Sequence, residues 1–376
     1  MTPWWIRATG FVVALIAFRF FASWWCGRDA EAWFRGDGER QSALAADVIA
    51  FEQDDDPRHF NGKLALWTHQ MAALGLAQVA FEHPERKAEY VPVVTRAAAK
   101  CFLPEMRTFG TEAWSNEDAF KSLEGSHAHG YLGGAALAIS VARALDPAFP
   151  ADVAKQHDAL IAAFERRLLA SPTGLVETFP HAAHPHDTAA IAGALAWHTR
   201  ATGRSHAQAL HYWADKVRTK QIDPASGLLV QRMEHRNGRG TDFPRASGTA
   251  LAAYYASYAD RGIAELLTGA VLRYASGLWE FGGVREYEDG HSGFGEGDDV
   301  PVLLGISPTA TVFALAPARA SGNAAEFAQL YRTTALAGVP YTSGGRTRFL
   351  ALGPIGNAFL LALLTARAEH AGDVAP

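Results

Sequence analysis

Between Glu177 and Asp187 the chain gathers three histidines and two carboxylates: Glu177-Thr-Phe-Pro-His181-Ala-Ala-His184-Pro-His186-Asp187. Carboxylates and imidazoles are the side chains best suited to moving protons near neutral pH. Glu177 follows a short extended apolar run and suits a general acid or base. Asp187 opens a helical pattern and suits an N-cap equally well. A metal would need a fixed ligand frame, and neither H-x-x-x-H on a helix nor C-x-x-C is present. No metal and no cofactor is therefore expected.

Three further clusters carry polar groups. In Glu124-Gly-Ser-His127-Ala-His129-Gly-Tyr131 the spacing predicts one helix face for His127 and Tyr131, with His129 pointing elsewhere. Arg245 and Ser247 open a helix of small residues, where Arg245 can clamp a carboxylate or hydroxyl. The charges of residues 234–242 just before it read as a solvated loop. A glycine-rich acidic run from Arg285 to Pro301 ends with Asp298-Asp299 ahead of the apolar stretch Val302–Ile306. Adjacent acids entering a buried region are costly unless used or paired. Calcium would call for a D-x-D-x-D frame, which is missing. The expected catalytic set is Tyr131, Glu177, Asp187 and His129. The expected substrate-binding set is His127, Arg245, Ser247, Asp298 and Asp299.

Helices must position these groups. From about residue 40 onward apolar residues recur at helical spacing in about twelve stretches, separated by Pro, Gly and Asp-Pro breaks. Glycine-led segments repeat at Thr173-Gly174-Leu175-Val176-Glu177, Ser226-Gly227-Leu228-Leu229-Val230 and Phe281-Gly282-Gly283-Val284-Arg285-Glu286. The helices near 186–202 and 205–220, and those near 245–260 and 262–277, lie between successive repeats. Such a repeat in a helical chain indicates stacked helical hairpins. Six hairpins over residues 39–376 predict an all-α toroid, the (α/α)6 barrel, with an open solenoid as the alternative. Small residues at Gly130, Gly133, Gly134, Ala189, Ala192 and Gly193 allow close helix approach. Strand signals at 174–178, 227–232 and 282–287 are short and read mostly as extended connections.

Residues 1–28 form a separate unit. Trp4 to Trp25 is apolar and aromatic, broken by Arg7 and Arg19. A helix from Ala8 to Trp25 rises roughly 27 Å, close to a hydrocarbon core of roughly 30 Å. Trp pairs at both ends fit interfacial belts. A membrane anchor through residues 4–25 is expected, against a signal segment or a helix packed on the domain. The catalytic domain is expected outside the cytoplasm.

Composition closes off other classes. The net charge is −5, and no basic stripe with interleaved aromatics is present, so no nucleic-acid partner is expected. The two cysteines, Cys26 and Cys101, make no disulfide framework. No G-x-S-x-G, no P-loop and no strand-linked G-x-G-x-x-G occurs. A small-molecule substrate is expected, and a homo-oligomer is compatible with the sequence.

The middle of the chain resembles the linalool dehydratase/isomerase family. The resemblance runs through Gly130-Tyr131-Leu132, Gly174-Leu175-Val176 and Ala196-Trp197-His198-Thr199-Arg200-Ala201-Thr202-Gly203. It continues through Ile222-Asp223-Pro224 and Gly248-Thr249-Ala250, and more weakly through the acidic loop and Val312–Leu315. It implies an (α/α)6 barrel and cofactor-free acid/base chemistry on a small alcohol. The family's pocket histidine falls at Tyr131, its two pocket cysteines at about Glu177 and Asp187, and a pocket methionine near His127. This chain keeps those positions and changes their chemistry toward carboxylates and hydroxyl.

Three functions follow as expectations. The first is a membrane-anchored lyase or isomerase. One of Glu177 and Asp187 protonates a leaving hydroxyl, while the other, or Tyr131, takes a proton from the neighbouring carbon. The second is a carbohydrate-active enzyme, a glycoside hydrolase or epimerase, with paired carboxylates from Glu177, Asp187, Asp298 and Asp299. The third is a non-catalytic helical scaffold.

Overall fold

The computed structural model describes residues 4–53, 62–288, 290, 291, 293 and 302–367. An N-terminal helix α1 (Trp4–Gly27) and a short α2 (Ala30–Arg35) precede a succession of helical hairpins. The first pairs α3 (Gly38–Gln53) with α4 (Gly62–Glu82). The second runs from α5 (Lys87–Lys100) through one turn, α6 (Pro104–Arg107), to α7 (Gly133–Leu145). The third and fourth pair α8 (Ala151–Ala170) with α9 (Pro185–Thr202) and α10 (Ala207–Lys216) with α11 (Ala246–Ala256). In the fifth, α12 (Arg261–Leu272) leads through strands β1 (Ala275–Leu278), β2 (Phe281–Arg285) and β3 (Ile306–Ser307) to α13 (Pro308–Phe313) and α14 (Leu315–Ala320). The sixth takes α15 (Ala324–Gly338) through β4 (Pro340–Ser343) and β5 (Arg346–Phe349) to α16 (Gly353–Leu364).

The second member of each hairpin lies inside. Helices α4, α7, α9, α11, α13–α14 and α16 pack each on the next, and α16 returns to α4, so the ring is closed. The expected (α/α)6 barrel is the fold. Burial separates the two layers. Every residue of α11 is buried, whereas α8 and α12 bury one stripe each, the pattern of an inner helix and of surface helices. One residue fastens the ring's far end. Arg319 of α14 donates to the carbonyls of Trp33 at 3.1 Å and Ala366 at 2.9 Å, and its Nη2 lies 3.0 Å from Glu82 Oε1.

The structure departs from expectation in the connections. Residues 282–287 include a true strand: β2 pairs antiparallel with both β1 and β3. A second hairpin, β4–β5, was not foreseen. Residues 174–178 and 227–232 are extended connections with isolated bridges, as expected. The helix expected from residue 127 begins at Gly133, behind a 3-10 turn at Gly130–Leu132. Of the three repeat glycines, Gly174 and Gly227 turn the chain at positive φ (65° and 74°). Gly282 serves another end: a Cβ there would meet Gln329 Cβ at 2.9 Å.

Helix α1 is long and apolar enough to cross a membrane by length and composition. Its apolar side chains from Trp4 to Trp25 stand exposed, and its last turns bury Ser23 and Cys26 beside α15.

Candidate active site

Among the described residues, the segments leading into α7, α9, α11 and α13 meet where these inner helices begin. All four polar clusters fall in these segments. Asp187 stands in the first turn of α9, behind Pro185 at the first helical position. Proline there loses no hydrogen bond, and the helix dipole favours a carboxylate. The capping role open to Asp187 is not used, because the cap residue is His184 and no side chain caps. Instead Thr178 Oγ1 donates to Asp187 Oδ2 at 2.7 Å. His184 Nδ1 and His186 Nε2 each lie 3.7 Å from one carboxylate oxygen, and their rings stack at 5.4 Å. Burial works to raise the Asp187 pKa. The charges of His186 and His184 and the bond from Thr178 outweigh it, and the net direction is down. Asp187 is therefore a carboxylate at neutral pH. Gly133 admits this arrangement: a Cβ on it would lie 2.6 Å from the Asp187 carbonyl oxygen.

Glu177 does not join Asp187. Successive side chains of an extended segment point to opposite sides, and Thr178 is turned toward Asp187. Glu177 Oε1 lies 2.7 Å from His235 Nδ1 and accepts the His181 backbone N–H at 3.0 Å. Glu177 and His235, with Arg167, line a cavity of 280 Å³ beside the end of α8 and residues 125–128. Burial lowers the His235 pKa against the opposite pull of Glu177. The two carboxylates expected to act as a pair thus face different surroundings. His235, read as part of a solvated loop, is a neighbour of Glu177.

The first cluster is rearranged as well. His127 and Tyr131 share no helix face, since both precede α7. His127 Nδ1 lies 2.8 Å from Glu117. His129, expected to point elsewhere, meets Tyr131 with Nδ1 3.4 Å from the phenol oxygen. Tyr131 donates to the Arg107 carbonyl at 2.8 Å. The imidazole must then offer its Nδ1–H, which leaves Nε2 as an acceptor. That Nε2 is buried and without a partner. Burial, helped by Arg167 and His127, lowers the His129 pKa to about 4, so the ring is neutral at pH 7. His129 also holds φ at 50°, a left-handed conformation that costs a non-glycine residue roughly 1 kcal/mol and that concentrates at functional sites. The Tyr131 ring stacks on Phe179 at 5.9 Å and packs on Phe109 at 4.6 Å.

Arg245 is the cap residue of α11. Its Nη2 donates to Asp242 Oδ2 at 2.8 Å, and its guanidinium lies 5.7 Å from the Tyr287 ring centre. Ser247 Oγ donates to Glu286 Oε1 at 2.5 Å. Glu286 is 1% exposed and is the carboxylate that the expected site set lacked. A signal for it existed, because it follows repeat glycine Gly282 much as Glu177 follows Gly174. Ser247, Leu251 and Tyr255 succeed one another at helical spacing on one face of α11. The Asp187 charge acts on the Tyr255 phenol at the inner end of that face, where burial is the main cause of a raised pKa. Glu286 sits over its outer end. On the other side of the ring, Trp67 of α4, Phe359 of α16 and Phe313 of α13 form an aromatic row, with centroids 6.2 and 5.9 Å apart. Asp298 and Asp299 lie outside the described residues.

A different cluster, His157, Asp158 and His198, lies at the opposite end of the ring, with ligand atoms within 4.8 Å of one another. Arg143 Nη1 is 2.5 Å from Asp158 Oδ1 and 2.9 Å from His157 Nδ1. A guanidinium thus fills the place a cation would take. This is an ion-pair network that joins α7, α8 and α9.

No family model matches the chain, and no curated protein does. Solved structures do. The α-1,6-mannanase GH76A of Salegentibacter sp. HEL1_6 superposes with a TM-score of 0.51 over 88% of this chain and 99% of its own, at 10% identity. The unsaturated glucuronyl hydrolase from Bacillus sp. GL1 gives 0.52 over 88% and 96%, at 12% identity. An unsaturated glucuronyl hydrolase specific for heparin gives 0.52 over 92% and 98%, at 9% identity. At these identities the likeness shows the (α/α)6 fold.

Proposed function

We propose that this protein is a carbohydrate-active enzyme of the (α/α)6 class, a glycoside hydrolase or epimerase held at a membrane by α1. The observation that carries the reading is Asp187, an ionised carboxylate at the ring mouth with two stacked imidazoles each 3.7 Å from one of its oxygens. The structural neighbours act on mannan and on unsaturated glucuronides by their names, and the aromatic row of Trp67, Phe359 and Phe313 suits the apolar faces of a sugar.

Glycoside hydrolysis needs two carboxyl groups. Asp187 serves as the base that takes a proton from water as its oxygen adds to the anomeric carbon. Glu286, held by Ser247, serves as the partner acid that returns a proton to the leaving oxygen. His129 Nε2 accepts a hydrogen bond from a sugar hydroxyl, and the free nitrogens of Arg245 donate to another. A second reading uses the same groups for loss of water from a small lipophilic alcohol, with Asp187 as base. The apolar setting of Tyr131 between Phe109 and Phe179 favours it.

Thermal shift of the full chain against α-linked oligosaccharides, unsaturated uronyl disaccharides and small alkenols separates the readings. A ligand at 100 times its Kd adds roughly 2.7 kcal/mol. Stabilisation by a saccharide, with its turnover lost in Asp187→Asn, supports the first reading. Stabilisation by alkenols alone replaces it with the second, and turnover unchanged in Asp187→Asn removes both.

A further inference from the structure

The tip of the β1–β2 hairpin is exposed and apolar where exposure has no folding benefit. Leu278 is 67% and Trp279 60% exposed. The strands pair up to Leu278 and Phe281, so Trp279 and Glu280 form a two-residue turn. Both hold positive φ, 52° and 72°. Hairpins with this turn prefer Asn-Gly, which adopts it without strain. Here the strained positions carry a tryptophan and a glutamate.

The tip is fixed to α1. Ser23 Oγ donates to Glu280 Oε2, and the Arg19 guanidinium lies 5.4 Å from the Trp279 ring centre. Arg332 of α15 donates to the Glu280 carbonyl at 3.5 Å. Ser23 and Arg19 precede Trp25 by two and six residues. At about 1.5 Å per residue the tip reaches about 3–9 Å beyond the Trp24-Trp25 pair, along α1 toward its N-terminus. Apolar groups of interfacial proteins sink about 5–10 Å into the boundary between headgroups and acyl chains.

We propose that Leu278 and Trp279 are a membrane wedge, a second contact of the barrel with the same bilayer that holds α1. The occupant of this apolar tip is the lipid interface, because the tip continues the exposed apolar surface of α1. The tip also completes α1. Arg19, a charge inside the span, rises toward the headgroups and lies against the Trp279 ring, where indole is favoured. One helix leaves a domain free to swing, whereas a helix and a wedge set its tilt and hence the direction of the ring mouth. The inference rests on the membrane reading of α1 and is independent of the substrate.

Cys26 and Cys101 are buried, so single exposed cysteines can be labelled selectively. The full chain is reconstituted in phosphatidylcholine nanodiscs with an NBD label at Trp279→Cys, at Leu15→Cys in α1, or at Leu266→Cys on outer helix α12. Labels at 15 and 279 should be quenched by doxyl lipids and shielded from iodide, and the label at 266 should behave oppositely. A label at 279 open to iodide, with 15 in lipid, overturns the wedge and leaves the anchor. A label at 15 open to iodide overturns both. A label at 279 shielded from iodide and lipid alike means a protein partner covers the tip, and also overturns the wedge. Because Trp279→Cys removes the ring itself, Leu278→Cys repeats the measurement with Trp279 in place and must agree.

Discussion

At the scale of residues, the proposed site separates two carboxylates ten positions apart, Glu177 and Asp187, into different surroundings. Asp187 faces the ring, Glu177 faces His235, and the buried Glu286 completes the mouth. Asp187→Asn should therefore lower kcat by at least 100-fold, the ordinary worth of a positioned acid or base. Glu177→Gln should cost less than about tenfold. Steady-state kinetics on the substrate found by thermal shift checks the pair, and equal losses would mean that both carboxylates act in one chamber.

The histidines set the response to acid. Burial brings the His129 pKa to about 4 and that of His157 to about 3, from an ordinary 6.5. Below about pH 6.5 the unfolded chain binds protons at these sites that the folded chain refuses, so stability falls as pH falls. The loss continues until the pH passes through the folded values. Asp187 acts in the same direction at the acid end, since its lowered pKa gives stability that disappears as it protonates. Calorimetry should show a Tm that declines steadily below about pH 6.5. A smaller decline is expected in His157→Gln, and an unchanged slope there would contradict the assignment.

At the scale of elements, the helices were legible and the connections were not. Apolar spacing located the outer and inner helices because the helical period is a local property of the sequence. The hairpin β4–β5 and the start of α7 at Gly133 depend on what each segment packs against. Glu286 and His235 escaped for that reason: one is held by Ser247 of α11, the other, half-buried, by Glu177 across two loops. The repeat glycines located the mouth correctly, although Gly282 earned its place by close packing rather than by turning. The β1–β2 turn yields a prediction at this scale. Trp279→Asn with Glu280→Gly relieves two left-handed positions, each costing a non-glycine residue roughly 1–2 kcal/mol. The double variant should unfold at a higher temperature than the parent in detergent, and an unchanged or lower Tm would show that contacts with α1 outweigh turn strain.

At the scale of the whole molecule, the ring closes by laying its last helix against its first inner one. Arg319 clasps that seam from α14, reaching the Trp33 and Ala366 carbonyls and Glu82. Arg319→Met takes the guanidinium from the half-buried Glu82 carboxylate, which keeps its bond from Gln41 Nε2 at 2.7 Å, and losing the charged partner costs roughly 1–3 kcal/mol. The expected result is a lower urea midpoint with an intact helical spectrum, and a midpoint within error of the parent would deny the clasp its role.

The same seam has a consequence in time. Ala366 supplies one of the oxygens that Arg319 needs, and it follows Glu82 of α4 by 284 residues. During synthesis α4 emerges early and has no ring partner on that side until α16 follows it. Contacts so distant in sequence are slow to form. Until α16 emerges the nascent ring is thus an open crescent with one apolar edge, and a holding chaperone has a defined place to act.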